Sequence, residues 1–320
     1  MKLQVVISNQ TNPYVNVAVE NYLLSQPVDD IITLYLWKNR RTVVIGQNQN
    51  PYSECNVDQL VADGGYVMRR RTGGGAVYHD DGNINFSFIV PRAHYDQSRQ
   101  FSVLQRAVES YGLHTEVSGR NDVLCEGRKF SGNAFKKAEF QNLHHGTILI
   151  KGNIEDLQRY LRVKPSKLQK HGVASVQSRV VNLSELAPVT AENIVPRLIG
   201  AFQQEYGSQA RELSFSSLIQ REGVRKLIEE MSSEQWIFGR WKSFEAQYSA
   251  QFEWGHVEIQ LDVDQEYALI THVELASDGL DLALLDQARQ LLTGASTKSM
   301  PAIPQGDSRQ VIADIFGLIW

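Results

Sequence analysis

Three consecutive glycines, Gly73–Gly75, lie between two strand-like segments, directly after three arginines and a threonine. Consecutive glycines lose much backbone entropy on folding, so their presence requires a reason. One reason is close approach of a ligand to exposed backbone N–H groups, which can bind an anionic group. The other is a strained loop or bulge that binds nothing. The segment is neither a P-loop, which needs a following Lys-Ser/Thr pair, nor a dinucleotide fingerprint, which needs a following helix.

The arginines Arg69, Arg70 and Arg71 precede this loop. Side chains alternate along a strand, so Arg70 points away from the other two and one of the two sets can face the glycines. A guanidinium there could bind carboxylate or phosphate through two hydrogen bonds. A solvated strand end or a nucleic-acid contact is the alternative. The latter needs a basic face, whereas the chain has a net charge of −4.

A second group of polar residues lies between Gly119 and Thr147. Asn121 and Asp122 carry oxygen atoms of the kind that Mg²⁺ accepts alongside phosphate. Lys129 is a compact cation that could meet charge developing on phosphorus or on a carbonyl oxygen. These residue types favour chemistry on a phosphorylated or carboxylate substrate.

Two histidines and two cysteines are weaker candidates. His144 and His145 are adjacent and so point to opposite faces of a strand, and no Cys/His/Glu set accompanies them at ligand spacing. Packing or contact with a ligand is therefore favoured over metal binding. Cys55 and Cys125 have no evident histidine partner in the sequence, although the fold could bring one close. The default interpretation of both is a small buried hydrophobe.

Hydrophobic patterning predicts the elements that must position these residues. The predicted strands are 1–8, 31–37, 42–46, 66–70, 83–90, 123–125, 129–134 and 146–150. The predicted helices are 13–25, begun by Asn12-Pro13, then 56–63, 97–111, one capped by Asn153, and a helical segment 195–237. Residues 239–250 indicate a linker, 251–275 two strands, and 280–293 and 308–319 helices.

Strands in hairpins and helices in groups predict an α+β fold, with mixed or antiparallel sheets flanked by helices. We expect a catalytic domain over 1–245 and a small α+β accessory domain over 246–320. The composition, 42% hydrophobic and 21% charged, is typical of a soluble globular protein. The N-terminus lacks a secretion signal or presequence, and two cysteines cannot form a disulfide framework, so we expect a cytoplasmic protein.

Taken together, these segments resemble the lipoate–protein ligase family over most of the chain. The family signature Arg-Arg-x-(Ser/Thr)-Gly-Gly-Gly-Ala-Val-(Phe/Tyr)-His-Asp is met by Arg69–Asp80. Its Gly-Arg-Asn-Asp, Lys-x-Ser-Gly and His-His-Gly-Thr elements are met at 119–122, 129–132 and 144–147, and further similarity covers 12–20, 36–51 and 178–183. Each motif alone is weak, but their occurrence in this order is specific.

The resemblance implies roles for individual residues. Lys129 matches the central catalytic lysine, which contacts the lipoate carboxyl and the α-phosphate during adenylation. ATP or lipoyl-AMP binding is implied for Arg70, Thr72, Gly73, Gly74, Gly75, Ala76, Val77, Tyr78, His79, Asn121, Asp122, Lys129, Ala134, His145, Gly146 and Thr147. Tyr78 is expected against the adenine and Asp122 near Mg²⁺, and the lipoyl tunnel is expected between residues 16–20 and the loop 45–49.

The implied reaction consumes lipoate and Mg-ATP, forms lipoyl-AMP and pyrophosphate, and transfers the lipoyl group to a lysine of an acceptor protein. The implied acceptors are the lipoyl domains of 2-oxoacid dehydrogenase acyltransferase subunits and the glycine-cleavage carrier protein. No nucleic-acid or membrane partner is expected.

Two enzyme alternatives remain. An octanoyl or lipoyl transferase of the same superfamily would use a thioester donor without ATP, and would carry a nucleophilic cysteine just before Asn121. Gly119 and Arg120 occupy that place here, although Cys125 lies close by. A biotin ligase is related in fold, but its usual Gly-Arg-Gly-Arg loop is absent from the sequence.

Overall fold

The computed structural model describes residues 1–28, 30–119, 121–162, 180–238, 246–264, 267–279, 282–306 and 308–320. Its strands are β1 (Lys2–Ile7), β2 (Ile31–Trp37), β3 (Thr42–Ile45), β4 (Tyr66–Arg69), β5 (Val77–His79), β6 (Asn83–Pro91), β7 (Thr115–Ser118), β8 (Asp122–Cys125), β9 (Arg128–Lys137), β10 (Gln141–Leu149), β11 (Ala210–Glu212), β12 (Ala246–Phe252), β13 (Gly255–Asp264) and β14 (Leu269–Ser277). Its helices are α1 (Pro13–Ser25), α2 (Pro51–Glu54), α3 (Val57–Ala62), α4 (Gln97–Glu109), α5 (Ile154–Tyr160), α6 (Ala191–Tyr206), α7 (Phe215–Ile219), α8 (Glu222–Ser232), α9 (Glu234–Ile237), α10 (Leu282–Leu292) and α11 (Arg309–Phe316). No helix in these ranges is long and apolar enough to cross a membrane.

Eight strands form the main sheet in the order β11-β1-β2-β6-β10-β9-β8-β7. β11, β1 and β2 are parallel, and every later pair is antiparallel, so the sheet is mixed. Successive residues of β2 alternate between two apolar cores, with Leu34 in one and Tyr35 in the other. The first core contains α4 and α6, and the second contains α1, α7 and α8. Helices therefore flank both faces.

α1 begins as the sequence predicts. The Asn12 side chain accepts hydrogen bonds from the backbone N–H groups of Tyr14 and Val15, at 2.9 and 3.3 Å, and Pro13 occupies the first helical position. The helix is buried on nearly all sides, including its polar residue Glu20. It thus carries a carboxylate into the interior of the protein.

A separate three-stranded sheet carries the glycine loop. β3 lies at its centre and pairs parallel with β4 and antiparallel with β5. Because β3 and β4 are parallel, the loops that follow Ile45 and Arg69 leave the sheet at the same edge. The loop that follows β3 therefore lies beside the glycine loop between β4 and β5.

The hairpin between β8 and β9 turns at Glu126-Gly127, as predicted. Both residues have positive φ angles, +49° and +74°, which suits this tight turn. The pairing register shifts between Val123 and Leu124, which pair with Ser131 and Lys129. One extra residue on β9 therefore forms a β-bulge next to Lys129, and bulges re-aim neighbouring side chains.

Residues from Ala246 onward build their own apolar core. β12, β13 and β14 form an antiparallel sheet whose inner face packs against α10 and α11. The backbone N–H of Ser277, at the end of β14, donates to the carbonyl of Asn48 at 3.0 Å, so this unit touches the loop that follows β3. The boundary predicted at 245/246 adjoins residues 239–245, which lie outside the described residues, and stays a prediction.

Several predicted elements differ from the structure. β12 begins at Ala246, so the predicted linker 239–250 was too long and 251–275 lies within three strands rather than two. β10 begins at Gln141, before the predicted 146, because its polar residues pair with β6 rather than forming a loop. The segment 195–237 is divided among four helices and interrupted by β11. β7 was not predicted, since its exposed residues carry no apolar alternation.

Candidate active site

The glycine loop packs backbone to backbone against the loop that follows β3. The N–H of Gln47 donates to the Thr72 carbonyl at 2.9 Å. A Cβ atom on Gly46 would lie 2.3 Å from the Gly74 carbonyl oxygen, so only glycine permits this contact. Gly74 itself has a φ of +93°, where glycine avoids strain. A Cβ atom on Gly75 would meet no heavy atom of the described chain within 4 Å, which leaves space for a ligand.

Arg70 holds the conformation of the glycine loop through hydrogen bonds. The residue is 7% exposed. Nη2 donates to the carbonyls of Gly73 and Gly75 at 2.7 and 2.8 Å. Nε donates to Thr72 Oγ1 at 3.0 Å, and Nη1 to the Val44 carbonyl at 3.1 Å. Strand alternation predicts that one of the two sets of arginines can face the glycines, and the structure shows that it is Arg70, whose donors fix carbonyl groups. Direct contact of Arg70 with ATP stays a prediction.

Arg69 and Arg71 face the other way. Arg69 is 3% exposed, and its guanidinium donates to backbone carbonyls of Gly46, Gln47, Gln49, Trp236 and Ile237. Arg71 forms an ion pair with Glu230, with oxygen distances of 2.5 and 2.7 Å, and lies over the Trp236 ring. The three arginines thus form no basic face, which removes the basis for the nucleic-acid alternative.

Lys129 projects from the bulged part of β9 toward Asp122 on β8. Its Nζ lies 2.7 Å from Asp122 Oδ1, and both side chains are about one-third exposed. A Cβ atom on Gly132 would lie 3.1 Å from both Cε and Nζ of Lys129, so glycine keeps the ammonium uncrowded. The structure therefore presents a partly accessible cation and a carboxylate side by side, and such a cation can meet charge that develops on phosphorus or on a carbonyl oxygen.

Asn121 fixes the start of β8 through reciprocal bonds with Asn133. Its carbonyl accepts from the backbone and side-chain N–H groups of Asn133, and its own amide donates to the Asn133 carbonyl. Asp122 Oδ1 faces Lys129 Nζ. Among the described residues, no group of three or more His, Cys, Asp or Glu side chains could hold a metal ion. Asp122 therefore fits only a Mg²⁺ ion that takes most of its ligands from phosphate and water.

His144 and His145 point to opposite faces of β10, as predicted. His144 is hydrogen-bonded to Gln100 of α4 and to Asn133. His145 faces α1, where its Nδ1 lies 2.9 Å from a carboxylate oxygen of Glu20. The Nε2 atom of His145 lies 2.9 Å from Thr72 Oγ1, so of these two histidines it is His145 that reaches the glycine loop.

Gly146 and Thr147 hold β10 close to β9. A Cβ atom on Gly146 would lie 2.6 Å from the Gly132 carbonyl oxygen, so a larger residue would separate the strands. The Thr147 hydroxyl accepts from the N–H of Gly132 at 3.3 Å. Ala134 pairs with His145 in the strand register. These residues support the position of Lys129, and their contact with nucleotide stays a prediction.

Tyr78 on β5 packs against other aromatic and acidic groups of the protein. Its ring lies 5.5 Å from that of Tyr160, and its hydroxyl lies 3.4 Å from Asp156 Oδ2. Burial raises the pKa of Tyr78, and so does the Asp156 carboxylate. Ala76 and Val77 are half-buried beside it. The predicted adenine site near these residues is not tested by their packing and stays a prediction.

His79 is a buried histidine at the end of β5, the strand that follows the glycine loop. Its Nδ1 lies 3.3 Å from the Asn39 amide, and its Nε2 has no hydrogen-bond partner among the described residues. Burial lowers the pKa of His79 to about 3, and the charge of Arg70 contributes. His79 is therefore a neutral acceptor or donor at physiological pH.

We expect this histidine to make the protein sensitive to acid. The folded pKa of about 3 lies below the unfolded value of 6.5. The unfolded chain therefore binds the extra proton first, and stability present above pH 6.5 falls as the pH drops towards 3. The slope from His79 is about 1.4 kcal/mol per pH unit. Urea unfolding between pH 7 and 4.5 measures it. His79→Gln should flatten the slope, whereas His94→Gln, at an exposed histidine, should leave it unchanged.

Both cysteines are buried and neither forms a disulfide. Burial raises the pKa of the Cys55 thiol to about 12 and that of the Cys125 thiol to about 11. A nucleophilic cysteine requires a lowered pKa and an exposed sulfur. The structure therefore disfavours the thioester-transfer alternative.

The two segments expected to form a lipoyl tunnel are both buried. Val17 and Val19 of α1 share an apolar core with Val44 and Val77, which brings the helix to the strands that carry both loops. A tunnel through this core stays a prediction. Sequence reasoning did not single out Glu20 as a chemical group, although a lone carboxylate in an apolar helix was a signal.

Comparison with known proteins points to one family. A family model described as the lipoyl protein ligase A/B catalytic domain matches residues 12–203. A protein named lipoate-protein ligase A from Psychrobacter cryohalolentis is 38% identical over 300 residues, which cover 91% of this chain and 88% of that protein. The crystal structure of P. falciparum LipL1 in complex with lipoate is 28% identical, with a TM-score of 0.81, and 98% of this chain and 99% of that one are covered. A two-part lipoate protein ligase from Thermoplasma acidophilum, described with its E2 lipoyl domain, is 26% identical, with a TM-score of 0.65, and 77% of this chain and 100% of that one are covered.

Proposed function

The chain belongs to the lipoyl protein ligase A/B family, and we propose that it is an ATP-dependent lipoate–protein ligase. The resemblance and the α+β fold class predicted from the sequence are confirmed. Two observations in a protein of this family carry the proposed activity: the partly exposed Lys129–Asp122 pair, and a glycine loop with open space at Gly75. The first supplies a cation and a carboxylate, and the second supplies accessible backbone.

The first step activates the carboxylate of lipoate. A lipoate oxygen attacks the α-phosphorus of ATP, the bond to the β-phosphate oxygen breaks, and pyrophosphate leaves with its electron pair. The Lys129 ammonium stabilises charge on the lipoate carboxyl and the α-phosphate, where such preorganised groups act most strongly. Mg²⁺, which Asp122 would help to hold, supplies further charge neutralisation. Arg70 keeps the glycine loop in the conformation that presents its backbone to the phosphates.

The second step passes the lipoyl group to the acceptor. The amine of an acceptor lysine attacks the carbonyl carbon of lipoyl-AMP, an amide forms, AMP leaves and the amine releases a proton. Lys129 is about one-third exposed, so an acceptor lysine can reach the same place from outside. We propose lipoyl domains of 2-oxoacid dehydrogenase acyltransferase subunits and the glycine-cleavage carrier protein as acceptors, and the cytoplasm as the compartment. The E2 lipoyl domain described with the Thermoplasma relative supports this class of acceptor.

The test is lipoate-dependent pyrophosphate release from Mg-ATP by the purified protein, with and without an apo-lipoyl domain. A complete ligase releases pyrophosphate and adds one lipoyl mass to the acceptor lysine. Transfer from supplied lipoyl-AMP without pyrophosphate release would leave only the second step. Transfer from an acyl thioester alone, lost in Cys125→Ser, would replace the proposal by the cysteine mechanism.

A further inference from the structure

A continuous chain of buried hydrogen bonds connects α1 with the glycine loop. The Glu20 carboxylate, 2% exposed, lies 2.9 Å from His145 Nδ1. His145 Nε2 lies 2.9 Å from Thr72 Oγ1, which accepts from Arg70 Nε at 3.0 Å. Arg70 Nη2 in turn donates to two backbone carbonyls of the glycine loop. Four side chains from three separate parts of the chain thus end on the glycine loop's carbonyls.

In each of the three hydrogen bonds between Arg70 and Glu20, the donor is the group on the Arg70 side. The Nε atom of Arg70 can only donate, so the Thr72 oxygen accepts from it; its second lone pair and its hydrogen still allow it either to accept from His145 Nε2 or to donate to it. The Glu20 carboxylate can only accept, so in the neutral ring the proton lies on Nδ1, directed at Glu20, and Nε2 accepts from the Thr72 hydroxyl. A carboxylate accepts such a bond strongly when it is buried. Glu20 therefore selects the Nδ1–H tautomer of His145.

The geometry points to Glu20 as a positioning residue for the glycine loop, acting through His145, Thr72 and Arg70. Glu20 also offsets the effect of burial on the guanidinium, whose pKa is lowered to about 10. The consequence for activity rests on the proposed function, because it assumes that the loop binds ATP. The tautomer of His145 does not depend on that assumption and can be measured without any substrate.

Glu20→Met removes the acceptor at similar size, whereas Glu20→Gln keeps an oxygen that can accept. In the wild type, ¹⁵N-detected NMR of the histidine rings, with His145 assigned through His145→Gln, should show the Nδ1–H tautomer. Glu20→Met should shift His145 to the Nε2–H tautomer and raise the KM for ATP about tenfold, the equivalent of one hydrogen bond. Glu20→Gln should keep the Nδ1–H tautomer and restore the KM for ATP to within about threefold.

The matched control is Gln100→Leu, which removes the buried partner of the neighbouring His144 on the opposite sheet face. It should leave the His145 tautomer and the KM for ATP unchanged. An Nε2–H tautomer in the wild type would overturn the inference even if Glu20→Met fails to fold. A change in the KM for lipoate alone would assign Glu20 to the acyl chain instead. A wild type with the Nδ1–H tautomer but no ligation would remove the proposed function and leave the positioning intact.

Discussion

Replacing Lys129 with alanine should abolish lipoate-dependent pyrophosphate release while the protein remains folded. The ammonium lies beside Asp122. In the proposed reaction it stabilises the charge that gathers on the lipoate carboxyl and the α-phosphate. Removing such a preorganised group costs on the order of 10³-fold in rate. The Lys129–Asp122 pair is about one-third exposed, and pairs of this kind contribute about 0–1 kcal/mol to stability. The melting temperature should therefore change little.

The control for Lys129→Ala is Lys137→Ala, an exposed lysine at the end of the same strand. It removes the same charge from the protein without touching the site, so pyrophosphate release should stay at the wild-type rate. Single-turnover transfer from supplied lipoyl-AMP separates the two steps, and Lys129→Ala should retain more of this second step than of the first. Pyrophosphate release by Lys129→Ala within about tenfold of wild type would be inconsistent with direct stabilisation of the reacting groups.

The positions of the main motifs were predictable because local chemistry fixes them. Asn12 and Pro13 begin α1, and Glu126-Gly127 turns a hairpin, through interactions that span only a few residues. The opposite directions of His144 and His145 follow from strand alternation alone. Sequence reasoning therefore located the elements of the site and the direction of many of their side chains.

The bonding of those side chains could not be predicted, because it depends on residues far apart in the sequence. The sequence indicates that the Arg70 guanidinium could bind carboxylate or phosphate, but it does not show that its donors reach carbonyls of its own loop and of β3. Glu20 meets His145 only because α1 packs on the face of β10. A buried carboxylate within an apolar helix signals a polar partner, but the sequence does not name that partner.

Replacing Gly75 with alanine should weaken ATP binding without weakening the fold. Its Cβ atom would meet no heavy atom of the described residues within 4 Å, and its φ lies outside the left-handed region. Alanine restricts the unfolded chain, so stability should be unchanged or rise by about 0.4–1 kcal/mol. If phosphate binds the backbone of this loop, the new methyl group occupies its space. The KM for ATP should then rise about 10- to 100-fold, and steady-state kinetics with urea unfolding measures both effects.

Two other glycines show whether this effect is specific. Gly200 of α6 also has no heavy atom of the described chain within 4 Å of an added Cβ, so Gly200→Ala should stabilise the protein and leave the KM for ATP unchanged. At Gly46 the added atom would lie 2.3 Å from the Gly74 carbonyl oxygen, so Gly46→Ala should lower stability and activity together. Only Gly75→Ala separates the two properties, because its open side is where the nucleotide would lie. If Gly75→Ala kept the wild-type KM for ATP, the phosphates would have to bind elsewhere than at this backbone.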